Sequence, residues 1–336
     1  MLDKDRLRQY FFRRLATRRG RADAPVPQME PDGPPPNAGD IPKKLENHRA
    51  VLPSFSPCVF NHFRELEWRY NVSPTYMEDV QTDISPAMRA ILVDWLVEVI
   101  EEYRLMPETL YLAVQYIDRY LSMYPISRGK LQLLGCAAML VASKFEEIFA
   151  PSIEEFVYIS DNTYSREQIL EMERVLLQRL EYRLKGATVK TYMARFLFAS
   201  GARRGGMETN LVKYLAEMTL PEYRFIKYRP SEICAAVVLC ARRTLGVTEE
   251  WTHVLEHYTG YTAEQLMPCV HDLAQTHRDS QRVHLQAIRE KYSRSPYSHV
   301  ARAVPPLPME LEDGITAEEG ADFALSSASG IQSNTY

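Results

Sequence analysis

The residue types that could carry chemistry are all present in this 336-residue chain, but few stand at a working spacing. His253 and His257 lie at i, i+4, with Cys269 and His271 further on, residue types that metal sites use. A closed zinc site needs a second ligand pair at suitable spacing, and none is there. Gly201-Ala202-Arg203-Arg204-Gly205-Gly206 lacks the Lys-Ser/Thr with which a phosphate loop reaches its ligand, so it reads as an interhelix turn. No His-Glu-x-x-His, Gly-x-Ser-x-Gly or kinase catalytic set occurs. The carboxylate pairs Glu101-Glu102, Glu146-Glu147 and Glu154-Glu155 are most cheaply explained as solvated helix faces. The expectation is a chain without catalytic residues, metal or cofactor, which works by gripping other proteins.

The stretch from Met88 to Ile100 is the most informative. Wound at about 100° per residue, Met88, Ile91, Leu92, Trp95 and Val99 form one stripe. Val93, Leu96, Val97 and Ile100 form a second stripe beside it. Together they span roughly 240°, against the ~100° of an ordinary surface helix. Either this helix is buried on nearly all sides, or part of one stripe stays open as a docking groove; pattern alone favours burial. Arg89 falls inside the apolar territory, and a buried guanidinium is costly without a bonded partner. Asp118 is equally misplaced on the next helix, sharing a face with Tyr111, Val114 and Leu121. The two together predict an Arg89–Asp118 bridge of structural role.

The elements that position these residues read as helices throughout. Ser85-Pro86 offers an N-cap followed by proline in the first turn, and Pro107 opens the next helix the same way. Ser152 with Glu155, Ser165 with Gln168, and Thr262 with Gln265 have capping-box spacing. Gly246 stands where a helix stop belongs. Alternating strand patterns with hairpin dipeptides are missing, so the body is expected to be all-α. Cys136-Ala137-Ala138 opens an apolar helix, and Cys234-Ala235-Ala236 does the same further along. Such small residues let neighbouring helices approach closely, so two copies of one bundle are expected, joined near Gly186-Ala187-Thr188.

Composition sets the surroundings. A net charge of −4 gives no overall pull toward nucleic acid or anionic membrane. Five scattered cysteines without a Cys-x-x-Cys argue for free thiols in a reducing interior. No apolar stretch approaches the ~18 residues of a membrane span, so a soluble intracellular protein is expected. Residues 1–24 hold eight Lys/Arg against three Asp, and 25–42 carry seven prolines; neither composition builds a core. The expected layout is a disordered basic, then proline-rich tail over 1–54 and an N-terminal helix and linker over 55–81. Two helical domains follow over 82–186 and 187–300, then a disordered acidic tail over 301–336.

Met88-Arg89-Ala90-Ile91-Leu92-Val93-Asp94-Trp95-Leu96 resembles the signature opening of the cyclin box. Leu131-Gln132-Leu133-Leu134-Gly135 and Ala142-Ser143-Lys144-Phe145-Glu146-Glu147 look like the third helix of that family. Asp161-Asn162-Thr163-Tyr164, Tyr228-Arg229-Pro230-Ser231 and Arg289-Glu290-Lys291-Tyr292 extend the resemblance across both blocks, about 60–295. In detail, Glu101-Glu102-Tyr103 and Arg128-Gly129-Lys130-Leu131-Gln132-Leu133 look most like an A-type cyclin, with B-type cyclins the nearest relatives.

The resemblance implies two tandem five-helix cyclin-box bundles preceded by an N-terminal helix. It implies a non-catalytic subunit that binds and activates a cyclin-dependent serine/threonine kinase in cell-cycle control, in the nucleus and cytoplasm. Lys144 and Glu173 would hydrogen-bond the kinase around its mobile helix, with Phe145, Glu147, Tyr182 and Leu184 in surrounding contact. Met88, Ile91, Leu92 and Trp95 would receive an Arg-x-Leu segment of substrates and inhibitors, with Glu98 and Gln132 in polar contact and Arg128 and Leu131 at the rim. A transcription scaffold bound to nucleic acid is the rival reading, since such factors reuse paired cyclin folds. Two tail features stand apart: Lys44-Leu45-Glu46-Asn47 only approximates the family's Lys-Glu-Asn degradation signal. Arg13-Arg14-Leu15 reads either as a basic import signal or as an Arg-x-Leu segment for the chain's own groove.

Overall fold

Proline and small hydroxyl side chains start these helices, as their spacing predicts. In the computed structural model, which describes residues 57–70 and 72–303, Ser85 Oγ accepts from Met88 N and Pro86 opens the helix Pro86–Tyr103. The three predicted capping boxes are all formed, each hydroxyl meeting a third-residue N–H and each Glu or Gln reaching back. Gly246 follows the end of its helix at φ +66°, a left-handed conformation costly to a side chain. The predicted tail over 1–54, with Arg13-Arg14-Leu15 and Lys44-Leu45-Glu46-Asn47, lies outside the described residues, as does the acidic stretch from 304 on.

Among the described residues there are thirteen α-helices and no strand. Helix α1 is Pro57–Arg69 and α2 is the single turn Tyr76–Asp79. The first box holds α3 (Pro86–Tyr103), α4 (Pro107–Leu121), α5 (Leu131–Glu146), α6 (Ile153–Ile159) and α7 (Arg166–Arg179). The second holds α8 (Val189–Ala199), α9 (Met207–Met218), α10 (Pro230–Thr244), α11 (His253–Thr259) and α12 (Ala263–Asp279). A last short helix, α13, is Ala287–Tyr292. Two five-helix bundles behind an N-terminal helix is the expected architecture.

The small-residue helices are central in both boxes. Every residue of α5 from Leu131 to Ser143 is buried, and α3, α4, α6 and α7 all pack on it. Helix α10 is buried in the same way beneath α8, α9 and α12. Gly135 shows why size matters: a Cβ there would come within 2.7 Å of Leu92 Cδ1, so glycine lets α5 and α3 close up.

Long-range polar contacts lock the boxes together. Helix α1 docks on box 2, where Glu67 accepts from Ser231 and Phe60 packs edge-on to Tyr192. Helix α13 returns to box 1: Asp94 Oδ1 accepts from Ala287 N, and Glu101 pairs with Arg294 at 3.1 Å. Buried Lys291 pairs with Glu217 at 2.9 Å, and Tyr292 donates to the same carboxylate.

Candidate partner-binding sites

Helix α3 carries the misplaced arginine, and the predicted bridge is present. Arg89 Nε and Nη2 donate to the two Asp118 carboxylate oxygens at 2.6 and 2.7 Å, a bidentate pair inside the core. Tyr76 Oη also donates to Asp118, and Arg89 Nη1 donates to the carbonyls of Leu220 and Pro221 in box 2. Burial works against the Arg89 cation, but the Asp118 carboxylate beside it holds its pKa above the usual arginine value. The bridge therefore joins α2, α3, α4 and the second box, where the pattern alone suggested two helices.

The apolar stripe on α3 is mostly interior. Val93, Leu96 and Ile100 are buried, and so are Leu92 and Trp95, each only 2 % exposed. Leu92 fills the notch that Gly135 leaves. Of the four apolar residues expected to form an open patch, Met88 and Ile91 are the half-exposed ones. Leu131 and Gln132 are buried as well, so they stand behind the surface rather than at a rim or as a free polar contact. Glu98 is half-buried on the same helix. Arg128 is exposed on a 3-10 turn and pairs with Asp83 at 2.5 Å, which holds the Asp83 carboxyl below its ordinary value.

The second site lies where α5 ends. Lys144 sits in the last turn of α5, where a cation meets the negative end of the helix dipole. Its ammonium donates to Glu173 Oε1 on α7 at 2.6 Å. The lysine side chain is 47 % exposed, while Glu173 is largely buried rather than an exposed helix acid. Phe145 beside it is exposed. Tyr182 is exposed too, in a tight turn where Glu181 and Tyr182 both take positive φ, and Leu184 is half-buried against the core.

Glu147 does something other than present a carboxylate outward. Its Oε1 accepts from Met106 N at 2.7 Å and from Thr109 Oγ1 at 2.5 Å, so it caps the start of α4. Two residues that sequence reasoning missed adjoin this end: Ile148 and Phe149 are 90 % and 91 % exposed. The signal was available, since two large apolar residues sit in a loop just before Pro151-Ser152 starts α6, beyond the reach of either helix's apolar face.

Among the described residues no three His, Cys, Asp or Glu side chains group as a metal site, and no helix is long and apolar enough to cross a membrane. What the site offers is an ion pair next to exposed apolar side chains on a paired helical bundle, an arrangement suited to contact with another protein.

The chain matches the cyclin N-terminal domain over residues 58–185 and the cyclin C-terminal domain over residues 187–306. It is 46% identical over 257 residues to Cyclin-A2-1 of Oryza sativa subsp. japonica, covering 75% of this chain and 52% of that one. With Cyclin-A1-4 of the same organism it shares 43% identity over 252 residues, 74% of this chain and 71% of the relative. Its fold matches the X-ray structure of a viral cyclin from herpesvirus saimiri at a TM-score of 0.59 and 19% identity, over 65% of this chain and 96% of that chain. The chain belongs to the cyclin family, and these plant relatives are A-type. It spans about half to three-fifths of the length of most curated relatives it matches.

Proposed function

We propose that this chain is the non-catalytic regulatory subunit of a cyclin-dependent serine/threonine kinase in cell-cycle control, and that the kinase sits on the open end of α5. The observation that carries the reading is the run of exposed apolar residues Phe145, Ile148 and Phe149 at the end of α5, next to the Lys144–Glu173 pair. Exposed apolar residues grouped around a few polar ones mark a protein–protein interface.

Activation follows from differential binding. A kinase whose mobile helix can swing in or out is shifted toward the inward state by any partner that binds that state better. Lys144 donates to a backbone carbonyl of the kinase and Glu173 accepts from an N–H, while the apolar cluster covers the helix. The lysine is half-exposed but the Glu173 carboxylate is largely buried, so the kinase N–H has to replace the ammonium that the carboxylate gives up. The kinase's own Lys–Glu pair and activation loop then align.

The test is co-purification with cell-cycle kinases followed by a phosphorylation assay. Lys144→Ala with Glu173→Ala is expected to weaken binding at least about tenfold; unchanged binding and activation would sink the assignment. A second surface, around Met88 and Ile91 with Glu98, receives Arg-x-Leu substrates and inhibitors. Because Trp95 is buried, Ile91→Ser is the cleaner probe there. It should slow phosphorylation of Arg-x-Leu substrates and spare short peptides without the motif. In cells the tagged chain is expected in both nucleus and cytoplasm.

A further inference from the structure

Arg119 is a cation in an uncomfortable place. It is 7 % exposed, yet among the described residues no carboxylate pairs with it. Its Nη1 donates to the Arg183 carbonyl at 2.8 Å, and its guanidinium lies 4.3 Å from the centre of the Tyr70 ring. The cation of Arg183 adds repulsion. Two more cations stand near by on aromatic rings: Arg179 over Tyr124 at 4.3 Å and Lys185 over Phe63 at 5.8 Å. Neither has an ion pair among the described residues. The carboxylate in this group is Glu181, which pairs with Arg183 at 3.1 Å where both are exposed and also favours the Arg119 cation from a distance.

Four positive charges against one negative is a local imbalance. Burial lowers the Arg119 pKa, and the Glu181 carboxylate that opposes this is exposed and already paired with Arg183, so an arriving anion relieves a cost the free protein carries. Stacking a guanidinium on a ring holds its plane fixed and leaves its N–H edge available, the geometry suited to carboxylates. The position along the chain selects the partner. Arg183 and Lys185 alternate with Tyr182 and Leu184, so whatever covers those two residues meets the cations between and beside them.

We propose that Arg119, Arg179, Arg183 and Lys185 form an anion-receiving strip continuous with Tyr182 and Leu184, and that it takes a segment of the kinase partner rich in Asp and Glu. The inference rests on the kinase-binding reading above. The strip steers association and holds the carboxylates at the interface edge, which makes the affinity salt-dependent.

The experiment titrates a purified cell-cycle kinase against the full chain at low and high salt. The variants are Arg179→Glu/Arg183→Glu/Lys185→Glu, whose residues are all exposed, and Lys144→Ala/Glu173→Ala. Melting curves matching wild type confirm folding of each. The charge-reversed chain is expected to bind at least about tenfold more weakly at low salt, with the gap closing as salt screens the surface. Equal binding by wild type and the charge-reversed chain at every salt overturns this inference and leaves the kinase reading standing. A wild-type chain that binds no kinase, or a Lys144/Glu173 variant that binds as wild type, removes the kinase reading on which it rests. Phosphatase treatment of the kinase is the last arm: unchanged salt dependence supports carboxylates, and its loss would mean that phosphate is the anion, against the proposal.

Discussion

The ends of α5 and α10 are the same place in the two boxes, and they have been finished in opposite ways. Cys136-Ala137-Ala138 and Cys234-Ala235-Ala236 set the register, which brings Lys144 opposite Arg242 and Phe145 opposite Arg243. In box 1 the cation is half-exposed and held by one carboxylate, with exposed Phe145, Ile148 and Phe149 beside it. In box 2 the cation is buried, and it donates to the carbonyls of Ser200, Glu249 and Glu250 with Glu208 at 3.4 Å. The chain beyond α10 folds back over its own helix end, and Trp251 donates to the Tyr261 carbonyl to fasten it. One bundle thus uses its helix-end cation to close itself, and the other leaves it half-exposed. Duplicated folds separate stability from binding in this way: the same backbone position can be internal structure in one copy and surface chemistry in the other.

The sharpest way to break this comparison is to remove both cations in turn. Arg242→Met leaves the part-buried carbonyls of Ser200, Glu249 and Glu250 without their donor and removes a buried side chain, so it should destabilise the fold by about 1–3 kcal/mol. Urea unfolding measures it. A cost no larger than that of Lys144→Met with Glu173→Gln would mean that the two ends are not differently built.

Much of this was legible beforehand, for identifiable reasons. The Arg89–Asp118 bridge could be read because each charge sat on the apolar side of its own helix, and only the other could balance it. The caps could be read because they are local, three residues from hydroxyl to partner. The pattern of α3 pointed to burial of Leu92 and Trp95, which is what is found, whereas the resemblance placed them in an open patch; the notch at Gly135 that Leu92 fills belongs to another helix and could not be read from the wheel. Nor could the role of Glu147, whose partners Met106 and Thr109 lie on the far side of two helices in sequence. Ile148 and Phe149 were missed because they fall outside any helical period. Lys144 and Glu173 came from family resemblance, which named the positions but not their bond to one another.

A second contrast lies in histidine. Box 2 holds a buried one, His277 on α12, 2 % exposed, edge-on to Tyr214 and with no partner for Nδ1 among the described residues; residues 82–186 contain none. Burial, with Arg278 adding repulsion, pushes its pKa down to about 4, against a backbone hydrogen bond at Ala303 that opposes the shift. Because the folded pKa lies below the unfolded one, the unfolded chain takes up the proton first as pH falls. Stability should therefore drop between roughly pH 6.5 and 4, by at most about 3 kcal/mol, and this contribution is flat below that. His277→Phe, which keeps a ring against Tyr214, should remove this slope while the carboxylate titrations common to both proteins remain. Parallel slopes for the two proteins would show that His277 is not the group responsible.

The smallest expected effect on folding is the one that bears most on the comparison. Lys144→Met with Glu173→Gln removes an ion pair whose lysine is 47 % exposed, without leaving the largely buried Glu173 carboxylate charged and alone. Pairs of this kind contribute about 0–1 kcal/mol, so the urea midpoint should hardly move. Ile148→Ser with Phe149→Ser should move it less still, since residues 90 % and 91 % exposed have almost no buried area to lose. Both variants should nevertheless bind the kinase more weakly, because truncating exposed anchors of an interface costs affinity without costing the fold. Stability and binding would then separate cleanly in box 1, whereas Arg242→Met in box 2 would lower stability and leave the affinity of the folded fraction unchanged. If the Ile148/Phe149 variant instead unfolds at lower urea with its affinity intact, the open end of α5 belongs to the fold, and the contrast between the two boxes fails.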